Sequence, residues 1–136
     1  MIYENGEHQV QGEGYFFKIY EGGSMELYND FAIIDKVRRN NEYSFADAKN
    51  YKRIRILDYY VSFWADQLED MNTFWHRLDS PNTALARAGV TIIPPRSLPL
   101  FYEVVEEAAQ TKEEQELLAL IEKAIEEKKY IIHFGV

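Results

Sequence analysis

Residues 54–78 read IRILDYYVSFWADQLEDMNTFWHRL, and within them Ile54, Leu57, Val61, Trp64, Leu68, Met71, Trp75 and Leu78 recur at alternating steps of three and four. Three and four residues each come close to one turn of an α-helix, so the eight side chains fall on one stripe. Both tryptophans of the chain lie on it. The stripe predicts a long central helix. Ser44 ahead of Phe45-Ala46-Asp47 resembles a capping box with Asp replacing the usual Glu or Gln, which places the helix at about 45–78. Lys49-Asn50 and Asn72-Thr73 are the points where it would break, leaving one bent helix or two in succession. The spacing also fits a coiled-coil seam, but three heptads are few and the tryptophans are bulky for one. The stripe is therefore expected to face a core, with Asp66 and Asp70 on the outer side.

Toward the N-terminus, Tyr15-Phe16-Phe17-Lys18-Ile19-Tyr20 has strand composition. Glu21-Gly22-Gly23-Ser24 supplies the glycines of a tight reversal, and Met25, Leu27, Phe31 and Ile33 then alternate with Glu26, Tyr28 and Asp30. A β-hairpin is predicted, with a short edge strand at Glu7-His8-Gln9-Val10. The charged run 35–43 ends in Asn40-Asn41 and reads as a strand end followed by a loop.

Toward the C-terminus, Ser80-Pro81 predicts a short helix over 81–88, closed by Gly89 as a left-handed terminator. Val90-Thr91-Ile92-Ile93 is a β-branched run stopped by Pro94-Pro95. Ser97 with Pro99 opens a helix whose apolar face holds Phe101, Val104, Val105 and Ala108. Thr111 and Glu114 form a capping box for another, striped by Leu117, Leu118, Ile121, Ala124 and Ile125. Tyr130–Phe134 closes as a strand. The order predicts a single α+β domain over 1–136. A small, mostly antiparallel sheet (the N-terminal hairpin plus strands near 90–93 and 130–134) packs on the long central helix and a C-terminal helix pair.

The 136 residues are 46% hydrophobic and 15% aromatic, which argues for a packed core and against disorder. There is no cysteine, so thiol catalysis and zinc–thiolate sites are excluded. The N-terminus has no signal-peptide pattern, and no apolar run approaches the roughly 18 residues of a membrane span. A soluble, cytoplasmic protein is expected. The net charge of −8 is unevenly spread: residues 1–35 carry −6, 36–55 carry +5, and 103–136 carry −5. An acidic chain favours basic partners and disfavours nucleic acid.

His8, His76 and His133 show no metal-ligand spacing, so no metal is expected. His76 is expected at a helix end and His133 on an outward strand position. The glycines form no phosphate loop, and no serine stands in a nucleophile elbow. Lys36, Arg38, Arg39, Lys49, Lys52, Arg53 and Arg55, interleaved with Tyr43 and Tyr51, have the composition of a single-strand nucleic-acid site. Within so acidic a chain, they are better read as offsetting the acidic helices or facing acids on a second subunit.

A small, acidic, cysteine-free, aromatic-rich α+β chain without a catalytic motif resembles the immunity proteins that neutralise bacterial toxins. The expected function is a non-enzymatic protein-binding domain that needs no cofactor and occludes a basic partner, such as a toxin domain. The residues expected at the contact are Asp66, Glu69, Asp70, Glu103, Glu106 and Glu107, with Tyr59 and Tyr102 as aromatic anchors. A homodimer is left open. The alternative is a small-molecule or regulatory module with a Tyr-, Trp- and Phe-lined pocket between sheet and long helix. A third reading is an enzyme of unrecognised type that uses His76 with Asp or Glu neighbours.

Overall fold

The computed structural model describes residues 8–12, 15–19 and 25–136. The Glu21–Ser24 turn and the extreme N-terminus lie outside the described residues. In chain order the strands are β1 (His8–Gly12), β2 (Tyr15–Ile19), β3 (Met25–Ile34) and β4 (Ile54–Leu57). Helix α1 (Asp58–Ala65) follows, then β5 (Asn72–Trp75), β6 (Pro81–Thr83) and β7 (Val90–Ile93). Helices α2 (Leu98–Ala108) and α3 (Lys112–Glu127) precede the last strand, β8 (Tyr130–Phe134). The sheet runs β1-β2-β3-β8-β7-β5-β6, and β4 adds to β3. All of its pairings are antiparallel. The α+β class, the N-terminal hairpin, the strands at 90–93 and 130–134 and the C-terminal helix pair are all present.

Strand parity divides the core in two. Phe31 and Ile131 belong to the cluster beneath α1, α2 and α3, together with Val61, Trp64, Phe101, Leu117 and Ile121. Ala32, Ile34, Ile132 and Phe134 belong to a second cluster that includes Tyr43 and Ala48 from the 35–51 segment. With both faces covered, the central strands carry nearly unbroken apolar runs.

The long helix of residues 45–78 does not form. Phe45–Asn50 is a short 3-10 turn, Ile54–Leu57 is strand, α1 has eight residues, Asp66–Leu68 is a second 3-10 turn and Asn72–Trp75 is strand again. The expected break points, Lys49-Asn50 and Asn72-Thr73, are thus real element boundaries. The stripe holds only in the middle, where Val61, Trp64, Leu68 and Met71 are at most 1% exposed, while Ile54, Leu57, Trp75 and Leu78 are half-buried. Ile54 and Ile56 alternate with Arg53 and Arg55, and this period of two wins because β3 offers the backbone partners Tyr28–Phe31. Arg53 and Arg55 then reach the buried Asp30 carboxylate at 3.4 and 3.1 Å.

The helix expected over 81–88 is also absent. Pro81–Thr83 pairs with β5 at the sheet edge, where a proline lacking an N–H is tolerated. Ala84 then turns the chain at φ 64°. Gly89 is not left-handed; it is needed for space, since a Cβ there would stand 2.9 Å from His76 Nε2.

The capping box at Thr111 forms as expected and does more than start α3. Glu114 is buried, and its Oε1 accepts from Gln110 N (2.8 Å), Thr111 N (3.0 Å) and Thr111 Oγ1 (2.9 Å). Its Oε2 accepts from the Trp64 indole at 2.8 Å, tying α1 to the start of α3.

Candidate functional site

Burial of Val61, Trp64 and Leu68 leaves the opposite side of α1 in water. Tyr59 is 64% exposed and Phe63, one turn on, is 45% exposed. Their rings meet edge to face at 4.9 Å, and Tyr59 meets Tyr60 in the same manner at 5.1 Å. Three aromatics packed on one another at the surface form a shelf. Asp66 continues the helical path at φ −65°, ψ −25°, and Glu69 does the same, so steps of three and four carry the face on to both. Asp66, Glu69 and Asp70 are all exposed. Of the eight residues expected at the contact, Tyr59, Asp66, Glu69 and Asp70 thus fall along one short segment.

The other four lie on α2, which packs beside α1 and the turn after it. Glu103, Glu106 and Glu107 are exposed, and Tyr102 is half-buried against the helix-side core. Burial, and then the Glu106 and Glu122 carboxylates, hold the Tyr102 phenol above its usual pKa. Tyr102 is therefore more a part of the packing than Tyr59.

Beneath the shelf runs a polar ring that sequence reasoning missed. His133 sits on β8 and is fully buried, not outward-facing, because its parity points it at the helix side. Its Nε2 lies 2.7 Å from Asn29 Oδ1 and its Nδ1 lies 3.2 Å from Thr91 Oγ1. Asn29 Nδ2 donates to Asp58 at 2.8 Å, Arg87 donates to the same carboxylate oxygen, and Ala86 N donates to Thr91 Oγ1 at 2.7 Å. Ala86 and Arg87 are neighbours, so the ring closes on itself. The pattern assigns a proton to Nε2 and leaves Nδ1 as acceptor, a neutral imidazole with both nitrogens satisfied. Burial, aided by the Arg87 charge, lowers the His133 pKa to about 3, although Asp58 acts in the opposite sense.

The hollows on the described surface include three of note. One of about 480 Å³ is lined by Ala65, Asp66, Glu69, Ala84, Leu85 and Arg87. A second, about 300 Å³, has Lys52, Lys123 and Lys129 beside Asp35 and Glu127. The third, about 370 Å³, includes Trp75, His76 and Arg87 but no carboxylate. His76 is not at a helix end. It has φ 66°, and its Nδ1 lies 3.0 Å from the Tyr43 carbonyl and its Nε2 3.4 Å from Val90 N, so both ring nitrogens meet backbone groups. The space between sheet and helices, where an aromatic-lined pocket is expected, is filled by Phe31, Trp64 and Phe101, whose ring centroids stand 5.9–6.1 Å apart.

The basic island is divided. Arg53 and Arg55 serve Asp30 rather than the acidic helices, while Lys36, Arg38, Arg39, Lys49 and Lys52 are exposed. Among the described residues no group of three or more His, Asp or Glu is placed to hold a metal ion, and no helix is long and apolar enough to cross a membrane.

Phe63 and Tyr60 were also missed, and here a signal existed. Tyr59 and Phe63 are four apart and both off the buried stripe, a spacing that marks an apolar pair on the wet side of a helix. The ring of Asn29, Asp58, Arg87, Thr91 and His133 had no such signal, since its members lie on five different segments. No protein-family model matches the chain, and no curated protein or solved structure matches it.

Proposed function

We propose that this protein is a non-enzymatic, cytoplasmic protein-binding domain of the toxin-neutralising kind, which occludes a basic partner. The observation that carries this reading is the exposed Tyr59–Phe63 pair, backed by half-buried Tyr60, running into Asp66, Glu69 and Asp70. Aromatic side chains held against one another at a surface are rigid and expensive to leave in water, and such residues dominate binding energies at interfaces. Carboxylates around them exclude wrong partners and raise the association rate with a cationic one. The net charge of −8 acts in the same direction over longer range. Occlusion asks nothing of the acids beyond their charge, and no pair of them needs a displaced pKa.

Affinity capture from the cell of origin tests the reading. Immobilised protein should retain a basic protein that Tyr59→Ala/Phe63→Ala and Asp66→Lys/Glu69→Lys both lose. Its association rate should fall steeply as salt rises. Retention of the same protein by all three baits, with unchanged salt dependence, would sink the proposal.

A further inference from the structure

We infer that the α1 shelf selects arginine, so that the partner enters it with a guanidinium-bearing segment and not merely with positive charge. The inference rests on the protein-binding reading above and names the chemistry of the occupant. Tyr59 and Phe63 pack edge to face, with interplanar angles near perpendicular at 75°. An edge-to-face pair leaves ring faces uncovered, and 64% of Tyr59 and 45% of Phe63 stays open to solvent. An uncovered aromatic face attracts a cation, and a planar guanidinium can stack on it with its N–H edge still free to bond elsewhere. An ammonium is compact and more strongly hydrated, and has no plane to lay on the ring.

The acceptors for that free edge stand one turn farther along. Asp66 is three residues beyond Phe63, and Glu69 three beyond Asp66, on a backbone that keeps helical angles through both. Neither carboxylate is held by an ion pair among the described residues, whereas Asp58, on the near side of the shelf, is already occupied by Arg87 and Asn29. The cationic end of a visiting side chain is thereby directed toward Asp66 and Glu69. Between these two and Arg87 lies the hollow of about 480 Å³, whose Ala65, Ala84 and Leu85 walls suit an aliphatic stem. Aromatic faces, free carboxylates and an apolar wall answer the planar face, the N–H edge and the stem of an arginine side chain.

Two fluorescein-labelled octapeptides of equal charge, one alternating Arg with Gly and the other Lys with Gly, provide the test by fluorescence anisotropy at about physiological salt. The Arg peptide should bind at least about five-fold more tightly. Tyr59→Ala/Phe63→Ala should abolish that preference while leaving the weak, charge-driven binding of the Lys peptide. Asp66→Asn/Glu69→Gln should weaken both peptides, and Glu116→Gln/Glu126→Gln, an equal charge change on exposed α3 positions, should disturb the preference little. Equal affinity for the two peptides overturns the inference, as does a preference that survives loss of the shelf. If the intact protein still captures a basic partner through the shelf in that case, the protein-binding reading stands without the arginine selectivity. Loss of the capture instead removes both.

Discussion

His133 brings an ionisable group into the centre of the sheet, and the chain responds by keeping it neutral. Its folded pKa of about 3 lies below the ordinary 6.5, so protonation favours the unfolded chain. Stability is complete above pH 6.5 and drains away as the pH falls, at about 1.4 kcal/mol per pH unit. Between pH 6.5 and 5 the wild-type protein should lose roughly 2 kcal/mol on this account. Urea unfolding of the wild type and of His133→Gln across that window checks it. The variant carries a constant penalty but a flatter slope, and parallel curves would refute the assignment. Glu114 is a buried carboxyl group met by four donors and, among the described residues, by no cation. Glu114→Ala strands the Trp64 indole and opens the α3 cap, and should cost about 3 kcal/mol or more. Thr111→Ala removes one cap and should cost about 1 kcal/mol. Similar losses in the two variants, measured by denaturant unfolding, would mean that Glu114 acts only as a cap.

At the scale of elements, α1 and α3 form for different reasons. The eight residues of α1 have no side-chain cap, and its neighbours are strand and 3-10 turn. Its helicity comes from docking Val61 and Trp64 onto Phe31 and Phe101. The sixteen residues of α3 carry a capping box and end on Lys128 at φ 57°, a left-handed cap. In isolation, a peptide of residues 110–129 should show measurable helix by circular dichroism near 0 °C, and one of residues 45–78 close to none. Strong helicity in the second would mean that the sheet overrides a local preference. The same difference sets what the sequence discloses. Thr111, Glu114, Pro99 and the glycine-flanked hairpin carry local signals that hold wherever the segment sits, so α2, α3 and β3 are legible. The 54–78 stripe is not local in that sense. Its three-and-four steps are correct over Val61–Met71, but before that window Ile54 and Leu57 serve a strand whose partners Phe31 and Tyr28 lie 23 and 29 residues away, and after it Trp75 pairs with Thr91. Half of the expected contact residues gather on the α1 segment because they are close in sequence. The ring through His133 is assembled by sheet register, and register is invisible until the strands are paired.

For the molecule as a whole, the decisive feature is that β3 and β8 belong to two cores at once. Ile131 and Ile132 are adjacent, yet Ile131 packs beneath the helices and Ile132 against the 35–51 segment on the other face. The backbone hydrogen bonds that hold one side chain in place hold its neighbour too, since β8 is bonded to β3 on one edge and β7 on the other. Neither layer can lose its strand without withdrawing a floor from the other. Ile131→Ala and Ile132→Ala should each cost about 2–4 kcal/mol despite facing opposite clusters. Each should also shift the whole transition. With Trp75 replaced by Phe throughout, Trp64 fluorescence reports the helix layer, and the amide resonance of Ala48 reports the other. In urea the two probes should change together in the wild type and in both variants, as one cooperative unit requires. If Ala48 is released at lower urea while Trp64 stays buried, the 35–51 layer is a separately unfolding cover, and the shared strands do not couple the two cores.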